Sequence, residues 1–313
     1  MRSDAKIYVA GHQGLVGCAL VKKLAQSGYS NIITETLERL DLRVQADVEA
    51  FFNVTRPEYV FLAAARVGGI KANSDYPAQF LYDNLMIATN VINAAYQHGV
   101  KKLLFLGSSC IYPRDCAQPI KEEYLLTGEL EKTNEPYAVA KIAGIKLCQA
   151  YNQQYGANFI TCMPTNLYGL HDNFDAQTSH VVPALIAKIC KAQHENNNTV
   201  TLWGTGNARR EFLFVDDGAD ALIFLMNNYD QNSIINVGTG YECSIAELAY
   251  IIKDLVGYSG HIIFDATQPD GTPRKVLNNE RIQKLGWQAT TSLGEGLAKT
   301  ISWYKKELVV ESL

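Results

Sequence analysis

The chain has 313 residues and a formal charge of −4, 28 basic side chains against 32 acidic ones; it is long enough for a full hydrophobic core and lacks the basic footprint of a nucleic-acid binder. No stretch approaches the roughly 18 consecutive apolar residues of a membrane span, and Met1 to Lys6 does not read as a signal peptide, so a cytoplasmic protein without a membrane partner is expected. Seven cysteines, at 18, 110, 116, 148, 162, 190 and 243, include no CxxC pair, which argues against a disulfide framework and against a metal site. Most read as small buried hydrophobes, with Cys110 as the exception.

In chain order, Lys6 to Ala10 predicts a short strand, and Gly11-His12-Gln13-Gly14-Leu15-Val16-Gly17 follows at once, leading into a helix to about Gln26. Glycines at such a strand-to-helix turn let a diphosphate approach the amides of the helix N-terminus. Asn31–Thr34, Tyr59–Ala65, Lys102–Gly107 and Phe159–Pro164 predict further strands, each nearly continuous in hydrophobicity and spaced for a crossover helix. Residues 1–165 thus read as a doubly wound, Rossmann-like parallel α/β unit with its ligand beyond the strand ends, near Ala63-Ala64-Ala65 and Ser108-Ser109. Residues 166–313 read mainly as a smaller C-terminal α/β substrate lobe. There His180–His194, Asp217–Asn227, Ser244–Val256 and Leu293–Leu308 predict helices, and Val200–Trp203, Phe212–Val215 and Ile234–Val237 predict strands. A segment near 212–240 is expected to return to the first unit.

The densest chemistry lies at Asn134-Glu-Pro-Tyr-Ala-Val-Ala-Lys-Ile-Ala143, where Pro136 suits a first helical turn. Tyr137 and Lys141, four residues apart, share a helical face. A nearby cation favours a phenolate, so Tyr137 is the candidate acid/base and Lys141 its activator. Taken alone such a pair is more often a surface coincidence. Here it has company in the glycine loop and in Gly107-Ser108-Ser109-Cys110-Ile111-Tyr112-Pro113.

Glycine loop, Ser108, Tyr137 and Lys141 in that order resemble the short-chain dehydrogenase/reductase family. Gly-Ser-Ser-Cys-Ile-Tyr-Pro, Met163-Pro-Thr-Asn-Leu-Tyr-Gly169, His171-Asp-Asn-Phe174, Trp203-Gly-Thr-Gly206, Arg210-Glu-Phe212 and Asp270-Gly-Thr-Pro-Arg-Lys275 are similar to its extended-class 3,5-epimerases and 4-reductases of GDP-4-keto-6-deoxymannose. The resemblance runs over nearly the whole chain and implies NADP(H) as coenzyme and a homodimer paired through helices near Tyr82–His98 and Tyr137–Tyr155.

By that match Ser108, Cys110, Tyr137, Lys141 and His180 are catalytic, Cys110 as base and His180 as acid. Removing a proton beside a ketone puts charge on the ketone oxygen, which Ser108 and Tyr137 would stabilise, and inversion needs one group to take a proton and another to return it. The coenzyme is expected at Gly11, His12, Gln13, Gly14, Leu15, Val16, Gly17, Asp41, Leu42, Ala63, Ala64, Tyr137, Lys141, Pro164, Asn166, Leu167 and His180. The sugar nucleotide is expected at Ser108, Ser109, Lys188, Trp203, Arg210 and Asp270.

One departure concerns the coenzyme. The family's bacterial pattern has arginines for the 2′-phosphate in the glycine loop and after the second strand, and here those positions are Gln13 and Leu37. Arg39 is the substitute cation, whereas Glu35 suits the free ribose of NAD(H), which stays open as the alternative. Two other readings also remain: a related nucleotide-sugar epimerase or reductase with a different hexose, and a non-catalytic dinucleotide sensor. The intact Tyr137 and Lys141 speak against the sensor.

Overall fold

The computed structural model describes residues 1–175, 178–268 and 270–311. The elements in order are β1 (Ile7–Ala10), α1 (Leu15–Gln26), β2 (Ile32–Ile33), α2 (Gln45–Thr55), β3 (Tyr59–Leu62), α3 (Ile70–Asp75), α4 (Pro77–Gln97), β4 (Lys102–Leu106), α5 (Glu135–Tyr155) and β5 (Phe159–Pro164). They continue with β6 (Asn166–Tyr168), α6 (Val181–His194), β7 (Thr199–Trp203), β8 (Arg209–Phe214), α7 (Val215–Asn228), β9 (Ile235–Val237), β10 (Glu242–Ser244), α8 (Ile245–Val256), β11 (His261–Asp265), β12 (Arg274–Lys275), α9 (Glu280–Lys284) and α10 (Leu293–Glu311).

Six strands form one parallel sheet in the order β2-β1-β3-β4-β5-β9. Every residue of β1, β4 and β5 is buried, as expected for strands covered on both faces. On one face α2, α4 and α5 bury Phe52, Val91, Ile92 and Ile145 against Tyr8, Val60 and Phe105. On the other α1 and α7 bury Leu20, Leu24, Leu222 and Leu225 against Ile7, Val9 and Leu104. The fold is therefore the doubly wound α/β class, and the strand order reverses between β1 and β3, where such sheets open a ligand crevice.

Helix boundaries follow local chemistry. Pro136 occupies the first turn of α5, and Gly156, at φ 69°, ends it in the left-handed region. Ser244 and Glu247 close a reciprocal capping box on α8.

The C-terminal lobe is built on a second sheet, in which β8 pairs with β6, β10 and β12, and on the β7–β11 pair. Its core gathers Tyr168, Ile186, Ile189, Phe212, Leu248, Ile252 and Leu297. Phe212 to Phe214 therefore differs from expectation in its pairing: it pairs with β6 and with no strand of the first sheet, although Leu213 packs into the core beneath that sheet. The return starts with α7, which packs on α1, and ends with β9 beside β5. No described helix is long and apolar enough to cross a membrane.

Candidate active site

The turn after β1 is closed tightly enough that only glycine fits. Gly11 has φ +86°, and a Cβ there would lie 2.7 Å from the Ala64 backbone; one on Gly17 would lie 2.0 Å from the Gly11 carbonyl oxygen. The loop is thereby pressed against Ala63 and Ala64 at the switch point. Gly14 caps α1 without a side-chain bond, and Gln13 and Gly14 are exposed while His12, Leu15 and Val16 are half-buried. This arrangement fits the diphosphate of a dinucleotide. Asp41 is gripped by Arg43, at 2.9 and 2.7 Å, which holds its carboxyl below the usual range. Leu42 is buried, and its carbonyl accepts from the Asn90 amide at 3.0 Å. Pro164 is buried at the end of β5, the Asn166 amide donates to the Glu211 carbonyl at 2.7 Å, and Leu167 packs beside Gly218.

Beyond β4 the chain turns sharply. The Ser108 hydroxyl accepts from the Cys110 amide at 3.2 Å and caps a 3-10 turn over Ser109–Ile111. Tyr137 enters from α5 into a niche bounded by Phe80, whose ring meets it edge-on at 6.4 Å, and by Ser108 and Cys110. Burial is the main cause that pushes its phenol above the ordinary value; the Cys110 thiol adds to this, and the Ser108 hydroxyl bond opposes it. Lys141, 3% exposed, donates to the Leu106 carbonyl at 2.7 Å, with its ammonium 4.9 Å from the Phe105 ring centre and 5.8 Å from that of Tyr137. Burial lowers Lys141 to about 8. Burial is the largest cause at the Tyr137 phenol and Lys141 is not among the others, so the phenol lies above its ordinary value and not below it.

His180 is the N-cap of α6. The residue is exposed, yet enough protein surrounds it that desolvation, with Lys275 second, pushes the imidazole below its ordinary value. The Lys275 ammonium approaches the Cys110 sulfur at 3.8 Å. Arg210, opposite Lys275 in the β8–β12 register, is lowered by burial and sustained by Cys110 and Asp270. Asp270 accepts from the Thr205 amide and hydroxyl, each at 2.7 Å, next to the turn at Gly204. Ser109 is buried beside Cys110, bordering a pocket shared with Arg114, Asn134, Thr272 and Lys275. Trp203, 61% exposed, and Lys188, also exposed, stand on β7 and α6.

The pattern of the NAD dependent epimerase/dehydratase family matches residues 7–238. The chain belongs to that family. Among family relatives, GDP-L-fucose synthase 1 of Arabidopsis thaliana is 54% identical over 305 residues, 97% of this chain and 94% of that protein. A GDP-L-fucose synthetase from Naegleria fowleri, solved bound to NADP, superposes with a TM-score of 0.92 at 31% identity, covering 99% of this chain and 95% of that one. A GDP-6-OMe-4-keto-L-xylo-heptose reductase from C. jejuni superposes with a TM-score of 0.94 at 40% identity, covering 98% and 99%.

The structure brings Ser108, Cys110, Tyr137, Lys141, His180, Arg210 and Asp270 into a run of interacting neighbours, linked in part through Lys275. It also adds Lys275, absent from the candidate residues. The Asp270–Lys275 run was visible as a motif, but its pairing beside β8 is non-local, so nothing in the spacing placed its last residue on the thiol. No group of three or more His, Cys, Asp or Glu residues suited to a metal occurs among the described residues.

Proposed function

We propose that the chain binds GDP-4-keto-6-deoxymannose, inverts C3 and C5 and reduces C4 with NADPH, forming GDP-L-fucose. The observation that carries this reading is a thiol, Cys110, set between the Tyr137 phenol and the Lys275 ammonium at the mouth of a dinucleotide fold. An ordinary ketone reductase has no use for a thiol there.

The residues divide the work. Cys110 takes the proton from the carbon beside the ketone, with the Lys275 ammonium 3.8 Å from its sulfur. Ser108 and Tyr137 donate to the enolate oxygen. His180 returns a proton on the opposite face. When bound, the reduced nicotinamide supplies the hydride for C4. Tyr137, held protonated by burial, then donates to the alkoxide oxygen, and Lys141 keeps a positive charge beneath the phenol while it does so. Arg210 and Lys188 would meet the diphosphate, Trp203 an aromatic or sugar face, and Asp270 hydroxyls.

Further parts of the reading concern organisation. Residues 1–165 with α7 and β9 form the coenzyme-binding unit, and most of 166–313 forms the sugar-nucleotide lobe. Two copies pair through α4 and α5, which carry exposed Tyr82, Val139 and Tyr155, and the protein works in the cytoplasm. The likeness to the C. jejuni heptose reductase supports a second reading, in which the sugar is not the 6-deoxymannose. The test is turnover of GDP-4-keto-6-deoxymannose with NADPH in deuterium oxide, with the product identified by NMR. GDP-L-fucose deuterated at C3 and C5 is expected. A C4-reduced sugar without inversion, or no turnover, contradicts the reading.

A further inference from the structure

We propose that Gly69, held by Asn73, positions His180 for its proton transfer by packing without a side chain against Ser179, the residue before it. The inference rests on the reading that His180 returns a proton at C3 and C5. It goes beyond that reading to two residues that hold the imidazole's segment in place.

The chain between β3 and α3 runs against the segment that enters α6. Upstream, Arg66 is fixed to α4: its amide donates to the Asn84 side-chain carbonyl at 2.9 Å, and its own carbonyl accepts from the Asn84 amide at 3.0 Å. Downstream, Asn73 is only 6% exposed and donates its side-chain amide to the carbonyls of Gly68 and Gly69, at 2.8 and 3.0 Å. The Gly69 amide in turn donates to the Thr178 carbonyl at 2.9 Å. A Cβ on Gly69 would lie 2.7 Å from the Ser179 carbonyl oxygen, well inside van der Waals contact. Its φ of −67° is open to any residue, so closeness to Ser179, and not backbone conformation, demands glycine here.

Thr178 and Ser179 lead straight into His180, the N-cap of α6. Asp175 fixes the same segment independently, its carboxylate accepting from the Thr178 amide at 2.9 Å and hydroxyl at 2.8 Å. The His180 side chain makes no capping bond to its own helix, so the course of the backbone through Thr178 and Ser179 sets where the imidazole stands. The neighbouring glycine faces elsewhere. A Cβ on Gly68 would meet Ala72 and the ring of Phe80, at 3.0 and 3.2 Å, and Phe80 is the ring that meets Tyr137. Ser108, Cys110, Tyr137 and Lys141 stand on the turn after β4 and on α5. A displacement of Ser179 therefore bears on His180 first, and on proton return before hydride transfer.

The test is deuterium incorporation at C3 and C5 from deuterium oxide, with GDP-4-keto-6-deoxymannose and NADPH, measured beside C4 reduction in wild type, Gly69→Ala, His180→Gln and the double variant. Gly69→Ala should lower incorporation by about tenfold, the scale of a misplacement of a fraction of an ångström, while C4 reduction continues at the wild-type rate. In the double variant Gly69→Ala should add no loss to that of His180→Gln, because the two act as one unit. Asn73→Ala, which strips both carbonyls of their donor, should show the same split between incorporation and reduction, and it carries the test if Gly69→Ala does not fold. Undiminished incorporation, an equal loss of reduction, or an additive loss in the double variant overturns the proposal. A wild type that incorporates no deuterium, or a His180→Gln variant that incorporates as much as wild type, overturns the reading of His180 beneath it.

Discussion

Lys141 sits between the Leu106 carbonyl and the Phe105 and Tyr137 rings, where burial lowers it to about 8. Its charge is present below that pH and lost above it. Reduction should therefore fall as pH rises through about 8, read as kcat against pH with saturating substrates. Lys141→Arg should move this alkaline limb out of range, because a guanidinium stays protonated. His180 has the same direction of shift with a different consequence. Its imidazole lies below the ordinary value, so its acid form grows only as pH falls; His180→Gln should remove the proton return and lower deuterium incorporation at C3 and C5 while C4 reduction continues. Tyr137→Phe should cost roughly 10²- to 10⁴-fold in C4 reduction, the usual worth of a positioned acid, while the coenzyme still binds. The Tyr137 and Lys141 pair was legible from its four-residue spacing. The direction of the phenol's shift was not, because it depends on burial by Phe80 and on the thiol of Cys110, which arrives from another loop.

The glycine loop and the β8 strand give two tests of how elements hold the site. A methyl group on Gly17 would overlap the Gly11 carbonyl at 2.0 Å, so Gly17→Ala should cost about 1–3 kcal/mol in urea unfolding and abolish coenzyme binding. Glu211 is fully buried where β8 meets the β9 end of the first sheet; its carboxyl accepts from the amides of Gly240 and Leu277, at 2.7 and 2.8 Å, and from the Asn279 side chain at 3.1 Å. Glu211→Leu strands those donors and should destabilise by about 3 kcal/mol in the same measurement. Glu211→Gln retains an acceptor and should cost less. Elements set by local chemistry were readable in the chain: the strand before Gly11, the Pro136 helix start and the apolar parallel strands. Those decided by pairing far along the chain were not. Arg274–Lys275 showed no strand pattern, yet pairing with β8 carries Lys275 to Cys110. Phe212–Phe214 reads as well for the first sheet as for the second, and its edge partners in the lobe decide the matter.

In the proposed reaction a dinucleotide cleft and a lobe flank one reacting centre, so epimerisation and reduction would share Ser108 and Tyr137 and differ in needing Cys110 and His180. Outside that centre, α4 and α5 leave Tyr82 and Val139 in contact with solvent. Paired copies predict a dimer by sedimentation at micromolar concentration, and Tyr82→Glu with Val139→Glu should yield monomers. The division of labour within the centre is the central claim, and it is tested by Cys110→Ser in deuterium oxide with GDP-4-keto-6-deoxymannose and reduced coenzyme. The product's C3 and C5 should carry no deuterium while C4 reduction by hydride continues. Undiminished deuterium at both carbons would contradict the account.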